Sequence, residues 1–129
     1  MAKIDSRMTN ATKSLAPCLS SPNCVSSVAA DVGHRIEALA FTGAPAAAME
    51  RVRAIIAAMP RARVVRFDDS SLHAEVTSWL LRFVDDVDCV LDADASVIHI
   101  RSASRVGYSD FGVNRKRVEQ IRTEFARSA

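Results

Sequence analysis

Hydrophobic and polar positions alternate along much of the second half of the chain. Leu72, Ala74 and Val76 interleave with His73, Glu75 and Thr77, while Phe83, Asp85, Val87, Cys89 and Leu91 share a second register. Further on, Ile98 and Ile100 oppose Val97, His99 and Arg101. A period of two sends successive side chains to opposite faces of a strand, so the pattern predicts strands over residues 72–79, 83–91 and 97–102. A Val-rich strand over residues 63–67 precedes them. The connections, among them Asp68-Asp69-Ser70-Ser71 and Asp92-Ala93-Asp94-Ala95, leave no room for crossover helices and predict antiparallel hairpins.

Two segments change period. Met49, Val52, Ile55, Ile56 and Met59 recur at helical spacing among alanines, with Glu50, Arg51 and Arg53 on the other side, so a helix is predicted from about Ala46 to Met59. Gly43 and Pro45 open it and Pro60 ends it. A second helix follows a cap at Ser109 or Asp110 and runs to about Ala126, with Val113, Val118, Ile121 and Phe125 as its apolar stripe. His34 to Thr42 is compatible with a strand, because Ile36, Ala38 and Ala40 alternate with Arg35, Glu37 and Leu39. Residues 1–33, rich in Ser, Thr, Asn and Pro, predict an irregular lead-in to one domain over 34–129. The expectation is an α+β fold of order β-α-β-β-β-β-α, a curved antiparallel sheet packed by a helix in the helix-grip or TATA-binding-protein-like manner.

Composition narrows this picture. A chain of 129 residues suits a single core, and with one Trp, one Tyr and five Phe that core is mainly aliphatic. The net charge of +2 is too small to attract nucleic acid by global field, so no nucleic-acid partner is expected. The charge is nevertheless in blocks: residues 45–66 carry +4, residues 67–94 carry −7 and residues 95–129 carry +4. Such blocks mark a partner surface or neutralise one another across the fold; adjacent strands and helix favour the second. No stretch approaches the roughly 18 apolar residues of a membrane span. Met1 to Asn10 lack the apolar core of a secretory signal, so the chain as written reads as cytoplasmic, and as exported if a leader was removed.

Cys18, Cys24 and Cys89 are an odd set. Cys18 and Cys24 bracket five residues, a loop long enough for a disulfide that spacing alone does not prove. Cys89 stands among apolar residues and reads as a core side chain. No pairs are spaced as structural zinc ligands, and neither metal nor cofactor is expected.

The densest polar segment runs Arg101-Ser102-Ala103-Ser104-Arg105-Val106-Gly107-Tyr108-Ser109-Asp110-Phe111-Gly112-Val113-Asn114-Arg115-Lys116-Arg117. With the earlier Pro17-Cys18, Ser21-Pro22-Asn23-Cys24-Val25-Ser26-Ser27 and Asp85-Asp86-Val87, it resembles the domain of unknown function 1499 over about Pro17 to Phe125. The resemblance implies no activity. It does imply kinship with exported or membrane-associated proteins of bacteria and plastids, often made with a leader.

Chemically, Arg101, Ser102, Ser104, Arg105, Tyr108, Asn114 and Arg115 form a candidate site for a small anionic or amphipathic ligand between sheet and helix, using charge-assisted hydrogen bonds and a helix start. Asp110 counts against it, since a carboxylate at the cap competes for the same donors. The competing reading is structural: Arg101 and Arg105 pair with Asp85, Asp86 and Asp88, and Asn114 fastens the loop. His73 and Glu75 share a strand face, and with His99 and Asp85 or Asp86 they form a second candidate for acid–base work or a divalent metal. No Gly-x-Ser-x-Gly is present, and Asp110-Phe111-Gly112 has none of a kinase's other parts. Gly107 is expected at positive φ before the helix. The leading reading is a non-enzymatic binding module. A hydrolase or isomerase using His73 and Glu75 is the alternative, and a protein-interaction domain without a pocket the third.

Overall fold

The computed structural model describes residues 15–79, 81–107 and 110–128. In chain order the elements are β1 (Cys24–Ser26), β2 (Leu39–Ala40), α1 (Pro45–Ala57), β3 (Ala62–Phe67), β4 (Ser71–Thr77), β5 (Val84–Asp92), β6 (Val97–Ser104) and α2 (Val113–Arg127). The class is α+β, and the β3–β6 run and both helices fall where the periodicities put them.

The strands form one antiparallel sheet in the order β1-β6-β5-β4-β3, with β2 also on β6. β5 aligns with β4 from Ser71↔Val90 to Thr77↔Val84 and with β6 from Asp85↔Ser104 to Asp92↔Val97. β3 is the outer strand on one side, and its pairing with β4 slips between Val64 and Arg66. On the other side β1 and β2 share the free edge of β6: Cys24–Ser26 meet Arg101–Ala103, and Leu39–Ala40 meet Val97–Ile98.

Two differences from the sequence reading arise at this shared edge. Cys24–Ser26, expected to be irregular, form a strand whose three side chains are all buried, so they show no alternation. The strand expected over 34–42 shrinks to two residues, because β1 already occupies the C-terminal part of the β6 edge. Arg35 keeps only a single bridge to Ser26.

Both helices pack on one face of the sheet. Leu72, Ala74, Val87, Cys89, Ile98 and Ile100 point there and are closed off by Met49, Val52 and Ile56 of α1 and Val118, Ile121 and Phe125 of α2. Excluding these aliphatic side chains from water is the main stabilising contribution. Pro45 stands in the first turn of α1, where a missing N–H costs nothing. Gly112, at φ +82°, is the residue before α2, a left-handed position that a side chain strains. Gly107 has φ +87°, as expected for the loop ahead of that helix.

Candidate functional site

The alternation that builds β6 divides the polar motif between two sides of the sheet. Ser102 and Ser104 face the helices; Arg101 faces away from them, and Arg105 reaches the same open side.

On the helix side, Asn114 in the first turn of α2 is fully buried and its side chain has five hydrogen-bond partners. Its Oδ1 accepts from Ser102 Oγ at 2.6 Å, and its Nδ2 donates to Ser104 Oγ at 3.0 Å, to the Asn23 carbonyl at 3.2 Å and to Asp110 Oδ2 at 2.7 Å. Arg117, one turn further along α2, donates to Asn114 Oδ1 at 2.8 Å and to Ser102 Oγ at 3.1 Å. Its guanidinium also pairs with Asp85 at 2.8 Å, where both side chains are only 10% exposed. Asn23 closes the circuit by donating to the Gly107 carbonyl at 2.8 Å. The Asp110 carboxyl is pushed up by burial, but donors from Asn114 and the backbone N–H groups of Gly112 and Asn114 outweigh this and hold it below the usual carboxylate range. These groups satisfy one another, and the network fastens the start of α2 to β6 and to the segment before β1.

Arg115, placed with this group by sequence, turns outward to the carbonyls of Arg35 and Gly33 at 2.9 and 3.1 Å. Tyr108 lies outside the described residues. Core side chains of both helices and the sheet meet in the layer between them.

The open face carries a second set. Arg105 donates to both oxygens of Asp86 at 2.9 Å and to Glu75 at 2.8 Å, while Arg63 reaches Glu75 at 3.2 Å. Arg105 holds the Asp86 carboxyl below its usual range, and the Glu75 carboxyl likewise with help from Arg63. His73 lies between two carboxylates, with Nδ1 2.7 Å from Asp88 and Nε2 3.4 Å from Asp86. His73, Glu75 and Asp86 have donor atoms within 4.8 Å of one another, so the strand face does bring this candidate together. Asp85 is not with them, because it faces the helices. The donor chemistry suits a divalent cation, yet the Arg105 guanidinium already lies against both carboxylates. The opposite charge blocks therefore do meet within the fold, through Arg105–Asp86, Arg105–Glu75, Arg63–Glu75 and Arg117–Asp85.

These shifts give a pH dependence of definite sign. Glu75 and Asp86 have folded pKa values below their unfolded values near 4, so their contribution is present above that pH and is lost as pH falls through the lower folded values. Arg105→Gln is expected to shrink the drop in melting temperature between pH 6 and pH 3. A thermal melt series in both proteins checks this, and identical acid slopes would contradict it.

Arg101 is the remaining member. It sits opposite Asp88 on β5 and opposite Ser26 on β1. One guanidinium nitrogen reaches the Pro17 carbonyl at 3.4 Å. Its Nε is enclosed and has no hydrogen-bond partner, the one such buried side-chain atom among the described residues. Pro17 and Ser26 line a cleft of about 240 Å³ together with Leu15, Cys18, Val28 and Asp31. A disulfide joining Cys18 and Cys24 holds one wall, with Cα atoms 5.7 Å apart. Asp31 pairs with His34 at 2.6 Å; the Ser21 carbonyl and this carboxylate hold the imidazole pKa above its usual value. Cys89 is wholly buried, and burial pushes its thiol far up, which leaves it a core side chain.

Sequence reading did not single out Asn23 or Arg117, and of the two carboxylates it offered beside His73 and Glu75 the structure brings up Asp86, while Asp85 shares the inner register with Val87 and Cys89. The signals were present: Asn114 and Arg117 are three apart on a helix and share a face, and Asp85 alternates with Asp86.

A family model described as a protein of unknown function, DUF1499, matches residues 14–125. No curated protein matches, and no solved structure matches.

Proposed function

We infer the function from the residues themselves, because the chain belongs to the DUF1499 family, whose description assigns no activity. The domain is a non-enzymatic binding module, and Arg101, whose guanidinium reaches the Pro17 carbonyl at the wall of the cleft beside the Cys18–Cys24 disulfide, is the group that recognises its ligand, a small anion. The observation that carries this reading is the enclosed Arg101 Nε without an acceptor. An unpaired buried donor costs about 1–3 kcal/mol, and a carboxylate or phosphate oxygen would remove that cost with a charge-assisted bond. The cleft, at about 240 Å³, suits a ligand of a few heavy atoms.

The disulfide supports residence in an oxidising compartment, since such bridges persist there and are rare in cytosol. Among the described residues, no helix is long and apolar enough to cross a membrane.

Native mass spectrometry and thermal melts with phosphate, acetate and longer carboxylates test the reading. A bound anion, or a melting temperature raised by it, is expected in the unaltered protein and absent in Arg101→Gln. Equal responses in the two proteins would sink it. The denatured mass with and without reductant reads the bridge, which lowers the mass by two hydrogens.

The acid–base reading has one observation in its favour, the His73–Glu75–Asp86 cluster. Zinc or manganese titration of Arg105→Gln against the unaltered protein decides it, because removing the guanidinium frees both carboxylates. Absence of metal binding in both proteins would exclude the metal form of this reading.

A further inference from the structure

At one end of the sheet the β4–β5 connection projects Trp79, Leu81 and Phe83, which are 72%, 62% and 46% exposed. The connection is a built turn: Ser78 N–H donates to the Phe83 carbonyl at 2.8 Å, and Phe83 N–H donates to Ser78 Oγ at 2.9 Å. It holds no acidic residue and one basic residue, Arg82. Arg61 lies beside it, its backbone carbonyl accepting from Thr77 N–H and its Nε donating to the Thr77 carbonyl, both at 3.0 Å. Arg61 and Arg82 are exposed, and among the described residues neither pairs with a carboxylate. Arg63 and Arg105 stand at the same end, at the start of β3 and just past β6, where Glu75 and Asp86 pair with them. The opposite end of the sheet has the reverse sign. There the β3–β4 and β5–β6 turns carry Asp68, Asp69 and Asp94, with Asp92 at the strand end, and contain no basic residue.

We propose that Trp79, Leu81 and Phe83, ringed by Arg61 and Arg82, form a tip that seats the domain on an anionic lipid surface. Three large, exposed apolar side chains can enter the headgroup boundary, where an indole is at home because one end is apolar and the other donates. The cations at their base match negative headgroups. The acidic turns at the far end orient the molecule, since an anionic surface attracts one end and repels the other. Insertion leaves the sheet and helices unchanged, and the Arg101 cleft is not part of the tip.

Trp79 is the only tryptophan, so its emission reports the tip directly. Vesicles of phosphatidylcholine with increasing phosphatidylglycerol are expected to shift that emission to shorter wavelength and to sediment the protein, both weakening with salt. Each arginine near an anionic surface contributes roughly fivefold in affinity, so R61E/R82E is expected to lower vesicle partitioning by about 25-fold or more. Leu81→Ser with Phe83→Ser, which keeps the reporter, is expected to abolish the shift without changing the unfolding midpoint. Emission unaltered by any vesicle overturns the proposal, as does equal binding to neutral and anionic vesicles. A concentration-dependent blue shift without lipid also overturns it, because a second copy of the chain would then cover the tip.

Discussion

Arg117→Met is expected to lower folding stability by about 3–5 kcal/mol, because it strands a charge in a nearly closed layer. Asp85 is then left facing the helices without its guanidinium, and Ser102 and Asn114 each lose a donor. The size of the effect comes from the neighbours left behind and not from the net worth of the pair. Replacing both charges, Asp85→Leu with Arg117→Met, is therefore expected to be less damaging than Arg117→Met alone. Urea midpoints of the two proteins check this, and a single substitution costing under about 1 kcal/mol would show that water reaches Asp85. The disulfide should be kept intact in both, so that the segment bearing Asn23 stays attached.

Phe125→Ala is expected to cost about 3–5 kcal/mol through the cavity it opens. Phe125 is the largest of the fully buried side chains among the described residues and closes the C-terminal end of α2 over the core. Arg51 of α1 stacks on its ring at 4.0 Å and donates to its carbonyl at 2.6 Å, so the loss also loosens one helix from the other. For a domain near this size the melting temperature should fall by roughly 10–20 °C. Differential scanning calorimetry checks it; a fall of only a few degrees would mean that Ile121 and the facing aliphatic residues collapse into the space.

The strands β4 to β6 were legible because one face is buried and the other is not, which prints a period of two onto the sequence, while β3, with no buried residue, was legible from its valines. β1 was not, because Cys24, Val25 and Ser26 are buried on every side and a fully enclosed strand has no polar phase. The stretch around Arg35 and Glu37 read as a longer strand than it is, since alternation marks a pleat but cannot say whether a partner edge is free. The candidate site divides in the same way. Sequence gathered Arg101, Ser102, Ser104 and Arg105 by proximity, but strand geometry sends neighbours apart, leaving the serines with Asn114 and the arginines with the open face. His73 and Glu75 were assigned one face and do share it. The role of Arg117 depends on a carboxylate 32 positions away in the chain, and no local pattern announces that distance.

The borders of the sheet bear on how this protein behaves in a concentrated solution. A long, regular outer strand is a template on which another chain can add its own, the first step toward fibrils. Here one border is divided between two fragments of three and two residues, and at the other β3 breaks step between Val64 and Arg66 and carries Arg63 and Arg66 outward. Neither border offers an uninterrupted row of amide groups. The fold thus keeps a largely aliphatic, strand-rich chain from growing edge to edge into an amyloid-like ribbon.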